Sequence, residues 1–270
     1  NQVQALDLDM PFIHNWEDSN IYEAVENTSE KRDYFLSIGD MKPIKGHSTA
    51  IDLAKKLNMD LVIIGGSLYY PESEAYFEGR IKPRLDKRVE HMKGNFLESI
   101  LSGSYEEGKG EVINFGPAND SQKKILFKYA KFTQFLGSLE VGKMNIDACP
   151  GTILESLLSG TPVLGVRGSV SEELVKESLA GINVSSLNES KQRLPELLSL
   201  EPEKIRTSAT ESRVLPPRTP RGERVKKEIS YDCSGLPFDK LRERSISVFS
   251  AISMAVFSLF FFLIGLFAPP

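Results

Sequence analysis

Residues 33–66 read DYFLSIGDMKPIKGHSTAIDLAKKLNMDLVIIGG. The apolar run at 33–38 stops at Gly39. A loop follows, and then Ala50, Ile51, Ala54 and Leu57 recur at helical spacing within 47–57. A second apolar run, 60–64, stops at Gly65 and Gly66. Short strands of buried type separated by an amphipathic helix make a βαβ unit. Right-handed crossover of such units gives a parallel sheet with helices on both faces.

The rhythm continues downstream. Strands are expected at 111–115, 132–136, 162–166 and 181–184. Helices are expected at 120–129, 152–158, 171–178, 191–200 and 202–212. A long charged helix is expected over 72–92, broken or kinked by Pro83. Residues 94–110 read as a helix and a Gly-rich loop. Residues 1–32 read as one strand, a turn and a surface linker. Ligands of such sheets bind beyond the carboxyl ends of the strands, so the informative residues should follow each strand.

Composition narrows the function. Of 270 residues, 40% are hydrophobic and 26% charged, which is globular and rules out bulk low-complexity disorder. A net charge of −4 leaves no global nucleic-acid footprint. Cys149 and Cys233 are far apart, and His14, His47 and His91 are scattered, so no metal site is read. Asp7 and Asp9 form a D-x-D pair in an alternating strand pattern, which reads as structural. The mean charge hides an asymmetry. Residues 213–244 carry nine Lys and Arg against five Asp and Glu, and 245–270 carry no charge, which leaves −8 on 1–212.

The segment 246–268 is apolar on all faces. At about 1.5 Å per residue it reaches across the ~30 Å hydrocarbon core, and it reads as a transmembrane helix. The basic, Pro-rich stalk before it places the main domain on the cytoplasmic side of a single-pass membrane protein.

Two segments carry chemistry. The first, 37–47 (SIGDMKPIKGH), runs from a strand end through Lys42, Lys45 and Gly46 into a helix. Backbone N–H groups at that helix start and a nearby ammonium suit a phosphate. The second, 147–165 (DACPGTILESLLSGTPVLG), sets Asp147 and Glu155 around a Pro-Gly turn that opens another helix. Two carboxylates there suit sugar hydroxyls, and Gly151 lets backbone approach a ligand.

Together these segments resemble the C-terminal, donor-binding half of a group 1 (family 4) glycosyltransferase of the GT-B fold. GDMKPIKG at 39–46 is similar to the family's G-R-x-x-x-x-K-G loop. Asp147 and Glu155 are similar to its E-x7-E pair, followed by GTPV at 160–163 and GSVSEE at 168–173. HNWEDSNIY at 14–22 resembles the segment that closes the acceptor domain. The resemblance implies a Rossmann-like domain over 33–212, with 1–32 a remnant of the acceptor domain or linker, 213–244 a linker and 245–270 the membrane helix. The acceptor domain would lie upstream or on another chain, and the first residue, Asn1, reads as the start of a fragment or processed product.

It further implies retaining transfer of a sugar from a nucleotide-diphosphate sugar to a glycan or lipid-linked acceptor, with no cofactor and no metal. Lys45 would hold the diphosphate, aided by Gly39, Gly151 and Thr152. Glu155 would bind the ribose, Asp147 the donor sugar, and Ser169 to Glu172 would line the pocket. Asp40 stands where the family has an Arg, putting an anion beside the diphosphate. That substitution favours the alternative, a catalytically weak nucleotide-sugar-binding or scaffold module tethered to the membrane.

Overall fold

The computed structural model describes residues 19–66, 70–106, 110–141 and 151–211. Seven strands form one sheet: β1 (Tyr34–Ile38), β2 (Asp60–Ile64), β3 (Lys87–Arg88), β4 (Val112–Gly116), β5 (Thr133–Gln134), β6 (Val163–Val166) and β7 (Gly181–Val184). Their order is β3-β4-β2-β1-β5-β6-β7, and every pairing is parallel. The α-helices among the described residues are α1 (His47–Leu57), α2 (Pro71–Tyr76), α3 (Lys93–Ser102), α4 (Asp120–Tyr129), α5 (Gly137–Val141), α6 (Gly151–Leu158), α7 (Val170–Leu174), α8 (Leu187–Leu198) and α9 (Pro202–Glu211).

The strands are apolar on both faces because both faces are covered. Successive β1 residues point to opposite layers. Phe35 packs with Ala50, Ile51 and Leu53 of α1, whereas Tyr34 and Leu36 pack with Leu126 and Phe127 of α4. Phe35 also stacks on Phe132, ring centroids 4.7 Å apart. A third cluster joins Tyr22, Phe135, Ile153, Leu157 and Ile205. Burial of each such Leu, Ile or Phe contributes about 1.5–3 kcal/mol.

The expected α/β architecture holds, with local corrections. The helix foreseen over 72–92 ends much earlier. α2 continues through a wide turn at Phe77–Ile81 and a tight one at Lys82–Arg84. Pro83, which has no N–H to give a helix, lies in that tight turn, and Leu85 is extended. β3 follows, a two-residue edge strand whose charged, exposed residues give no apolar signal. The strand foreseen at 132–136 shrinks to two residues because Gln134 Oε1 takes the Leu136 N–H at 2.6 Å. The helix foreseen at 171–178 stops at Leu174, with Ser178 in a left-handed turn. α5 was not foreseen.

The segment 19–32, read as surface linker, is packed on the domain. Tyr22 and Val25 are buried. Lys31 is 6% exposed, and its ammonium donates to Lys128 O at 2.8 Å and Thr161 Oγ1 at 2.6 Å. Burial pushes the Lys31 pKa down to about 7. The D-x-D pair, Asp147 and the apolar segment 245–270 lie outside the described residues. No helix among the described residues is long and apolar enough to cross a membrane.

The tightest packing lies where the loops after β1 and β5 meet. A Cβ on Gly137 would lie 1.6 Å from the Ile44 carbonyl oxygen. Gly137→Ala is therefore expected to destabilise the fold by more than ~3 kcal/mol, on the scale of severe core strain. Gly79 has open space around its Cβ position. Gly79→Ala should be neutral or stabilising by up to ~1 kcal/mol. Denaturant midpoints of the two variants check the pair.

Candidate functional site at the carboxyl ends of the strands

The chain leaves β1 toward β2 on one side, and leaves β5 toward β6 on the other. The sheet therefore has its topological switch between β1 and β5, where such sheets open a ligand crevice. The loop 39–46 and residues 134–137 border that point.

The two walls are locked together by a buried polar chain. The Gln134 side-chain amide donates to Ser37 Oγ at 2.5 Å and to the Lys45 carbonyl at 3.1 Å. Ser37 Oγ lies 2.6 Å from His47 Nδ1, and His47 Nε2 lies 3.0 Å from the Asp40 carbonyl. One tautomer satisfies every member: Ser37 donates to Nδ1, and Nε2–H donates to the carbonyl. His47 is fully buried, and burial pushes its pKa down to about 4. It is a neutral strut that holds the Asp40 carbonyl.

Lys45 folds back over Gly39. A Cβ on Gly39 would lie 2.9 Å from the Lys45 Cγ and Cδ, and Gly39 has φ +145°. Gly39 thus lets the lysine stem lie across the strand end. Asp40 is half-exposed, with Oδ2 3.9 Å from Lys42 Nζ. Lys42 in turn lies 4.8 Å over the Tyr70 ring.

One expectation is corrected here. The start of α1 is expected to suit a phosphate, but two of its backbone donors bond side chains of the chain itself. Ser48 N–H donates to Tyr76 Oη at 3.0 Å, and Tyr76 donates to Glu140 Oε1 at 2.7 Å. Thr49 donates through both N–H and Oγ1 to Glu140 Oε2 at 3.3 Å. A carboxylate of the chain itself sits at the positive end of α1. Burial and the Glu140 contact both raise the Tyr76 pKa.

On the other side, Gly151 and Thr152 open α6, and Glu155 lies on its second turn, buried. Glu155 Oε1 accepts from Tyr22 Oη at 3.0 Å and Lys123 Nζ at 2.6 Å. Its Oε2 has no partner among the described residues. Burial opposes the Lys123 charge, but Glu155 and Asp120 outweigh it and raise its pKa. Ser169 caps α7, and its hydroxyl donates to the Val166 carbonyl at 2.7 Å. Glu172 turns back to accept from Gly168 N–H at 2.7 Å. The structure thus brings Gly39, Asp40 and Lys45 together at the switch point, and places Glu155 on the helix α6, beside α4. Asp147 lies outside the described residues.

Gln134, Ser37, Glu140, Tyr76 and Lys123 were not singled out from sequence. Ser37 and Gln134 had a signal: each is a polar residue inside an apolar run. Glu140, Tyr76 and Lys123 had none, since the partners of Tyr76 and Glu140 are 28 to 91 residues away and the Glu155 partner of Lys123 is 32 away. No group of three metal-ligating side chains occurs among the described residues.

No family model and no curated protein matches the sequence. Solved structures do. Anabaena HepE in complex with UDP and glucose is 12% identical with a TM-score of 0.50, over 74% of this chain and 51% of that one. The described residues share the fold of part of a GT-B glycosyltransferase structure. AviGT4, a glycosyltransferase involved in avilamycin A biosynthesis, is 21% identical with a TM-score of 0.49, over 75% and 52%. TarM is 14% identical with a TM-score of 0.49, over 78% and 39%. The chain spans about half the length, or less, of these GT-B structures.

Because His47 is neutral and buried, folding excludes its proton. Its unfolded pKa, 6.5, lies above its folded value of about 4. Stability should therefore be complete above pH 6.5 and fall as pH drops from 6.5 toward 4, by ~3 kcal/mol. His47→Gln removes this component. Urea unfolding at pH 7 and pH 4 should show a steeper loss for wild type than for His47→Gln.

Proposed function

We propose that this chain is the donor-binding half of a nucleotide-sugar-dependent glycosyltransferase. The observation that carries the reading is Lys45 lying across Gly39 at the switch point between β1 and β5. As the glycosidic bond to the leaving diphosphate breaks, negative charge grows on the phosphate oxygens. A fixed ammonium and backbone N–H groups stabilise that charge with no reorganisation. Lys45 supplies the ammonium, and Gly151 and Thr152 supply N–H groups at the start of α6. Glu155 Oε2 accepts from a ribose hydroxyl while Lys123 and Tyr22 hold the carboxylate in place. Asp147 holds the donor sugar, and Ser169 and Glu172 border it. Transfer proceeds with retention to a glycan or lipid-linked acceptor presented by a domain outside residues 33–212. Residues 245–270 span the membrane once, with the catalytic half on the cytoplasmic side.

A second reading is a binding or scaffold module with weak catalysis. Two observations favour it. Asp40 adds an anion to the loop that would hold the diphosphate, and Glu140 occupies the start of α1.

Calorimetric titration of the full 270-residue chain with UDP-, GDP- and ADP-sugars separates these readings from no donor at all. Binding of at least one donor is expected. Lys45→Ala should weaken it about tenfold or more, the size of one charge-assisted hydrogen bond. Asp40→Arg should tighten it, with a gain that shrinks as salt is added. Absence of binding at millimolar donor overturns the proposal. For the tail, the full chain should resist carbonate extraction from membranes, whereas a chain ending at Arg213 should not sediment with them.

A further inference from the structure

A cavity of about 320 Å³ opens at the carboxyl ends of β2, β3 and β4. Met41, of the same loop as Asp40 and Lys45, forms one wall. Strands are about 4.8 Å apart, so β2 and β4 lie roughly 5–10 Å from β1. That is the direction and reach of a nucleoside extending from a diphosphate at Lys45.

Three side chains set the cavity's chemistry: Arg88, Glu90 and Asn114. Asn114 is fixed at both ends, since Oδ1 accepts from Gly116 N–H at 3.3 Å and the amide nitrogen donates to Glu90 Oε1. That bond orients the Glu90 carboxylate and leaves Oε2 without a partner among the described residues. Arg88 stacks its guanidinium over the Phe77 ring, 5.7 Å from the centroid. It makes no ion pair or side-chain hydrogen bond among the described residues, and it is not paired with Glu90. A carboxylate acceptor and a guanidinium fork, two residues apart, thus line one cavity.

Resting on the donor-binding reading, we infer that this cavity selects guanine among nucleobases. Guanine alone of the common bases presents two adjacent N–H donors, N1–H and N2–H, to a carboxylate. Its neighbouring edge carries O6 and N7, the acceptor pair that an arginine fork grips in two bonds. Uracil sets its single N3–H between two carbonyl oxygens, which a carboxylate repels. Adenine offers Glu90 one amino group beside an acceptor nitrogen. A site whose carboxylate and guanidinium match this donor and acceptor pair discriminates against ligands that leave those groups unpaired.

The test measures dissociation constants of GDP, UDP and ADP for the full chain and for Glu90→Gln and Arg88→Ala. Glu90→Gln keeps the acceptor for Asn114, and Arg88 is exposed, so at least the second variant leaves the core untouched. For wild type, GDP should bind at least tenfold more tightly than UDP and ADP. Each substitution should reduce GDP affinity about tenfold and change UDP affinity less than twofold. If UDP or ADP binds as tightly as GDP, or if both variants keep the GDP preference, the guanine inference is overturned while donor binding stands. If none of the three binds, both fall.

Discussion

Among the described glycines, Gly137 leaves the least room for a side chain, because the loop after β1 lies against it after β5. Gly46 faces Gly137 N from the other side, where its own Cβ would lie 2.7 Å away. Any side chain at either position would push the two loops apart and open the sheet at its switch point. The same close approach brings Gln134 within reach of Ser37 and of the Lys45 carbonyl. Position of the lysine, orientation of His47 and the backbone of Asp40 all follow from that contact. A crevice that would otherwise be two mobile loops becomes a pair of rigid walls, as binding sites that rely on fixed charge require.

The polar chain also fixes a limit on the site. Its members are buried, so each must be satisfied within the protein. Gln134, Ser37 and His47 use their hydrogen-bonding capacity on one another and on backbone. Glu140 and Tyr76 likewise use theirs on the start of α1. At the rim lie one oxygen of Glu155 and the cavity beside β2 and β4. This division between inward struts and outward contacts is why most of the polar groups near the crevice are structural.

Periodicity gave the architecture away because a buried parallel strand is a short apolar run and its crossover helix is amphipathic. α1, β2, α4 and β7 fall at the bounds expected from sequence. β3 is set by its pairing with β4 rather than by an apolar run, and β5 is cut short by a side-chain bond of Gln134 that hydropathy does not encode. The loop around Gly39, Lys45 and Gly46 was legible because strand, glycine and lysine are contiguous. The capping of α1 was not, because Tyr76 and Glu140 arrive from other crossovers. Nor was the pairing of Glu155 with Lys123, although both residues lie on helices that were read correctly.

The central claim is that the crevice between β1 and β5 is the ligand seat. Hydrogen–deuterium exchange of the full chain, with and without saturating nucleotide diphosphate sugar, tests it most directly. The account predicts slowed exchange in peptides that cover 39–46 and 134–140, since the ligand clamps two walls already joined by Gln134. Unchanged exchange there, with protection confined to the opposite strand ends around 28–31 and 159–162, would contradict it.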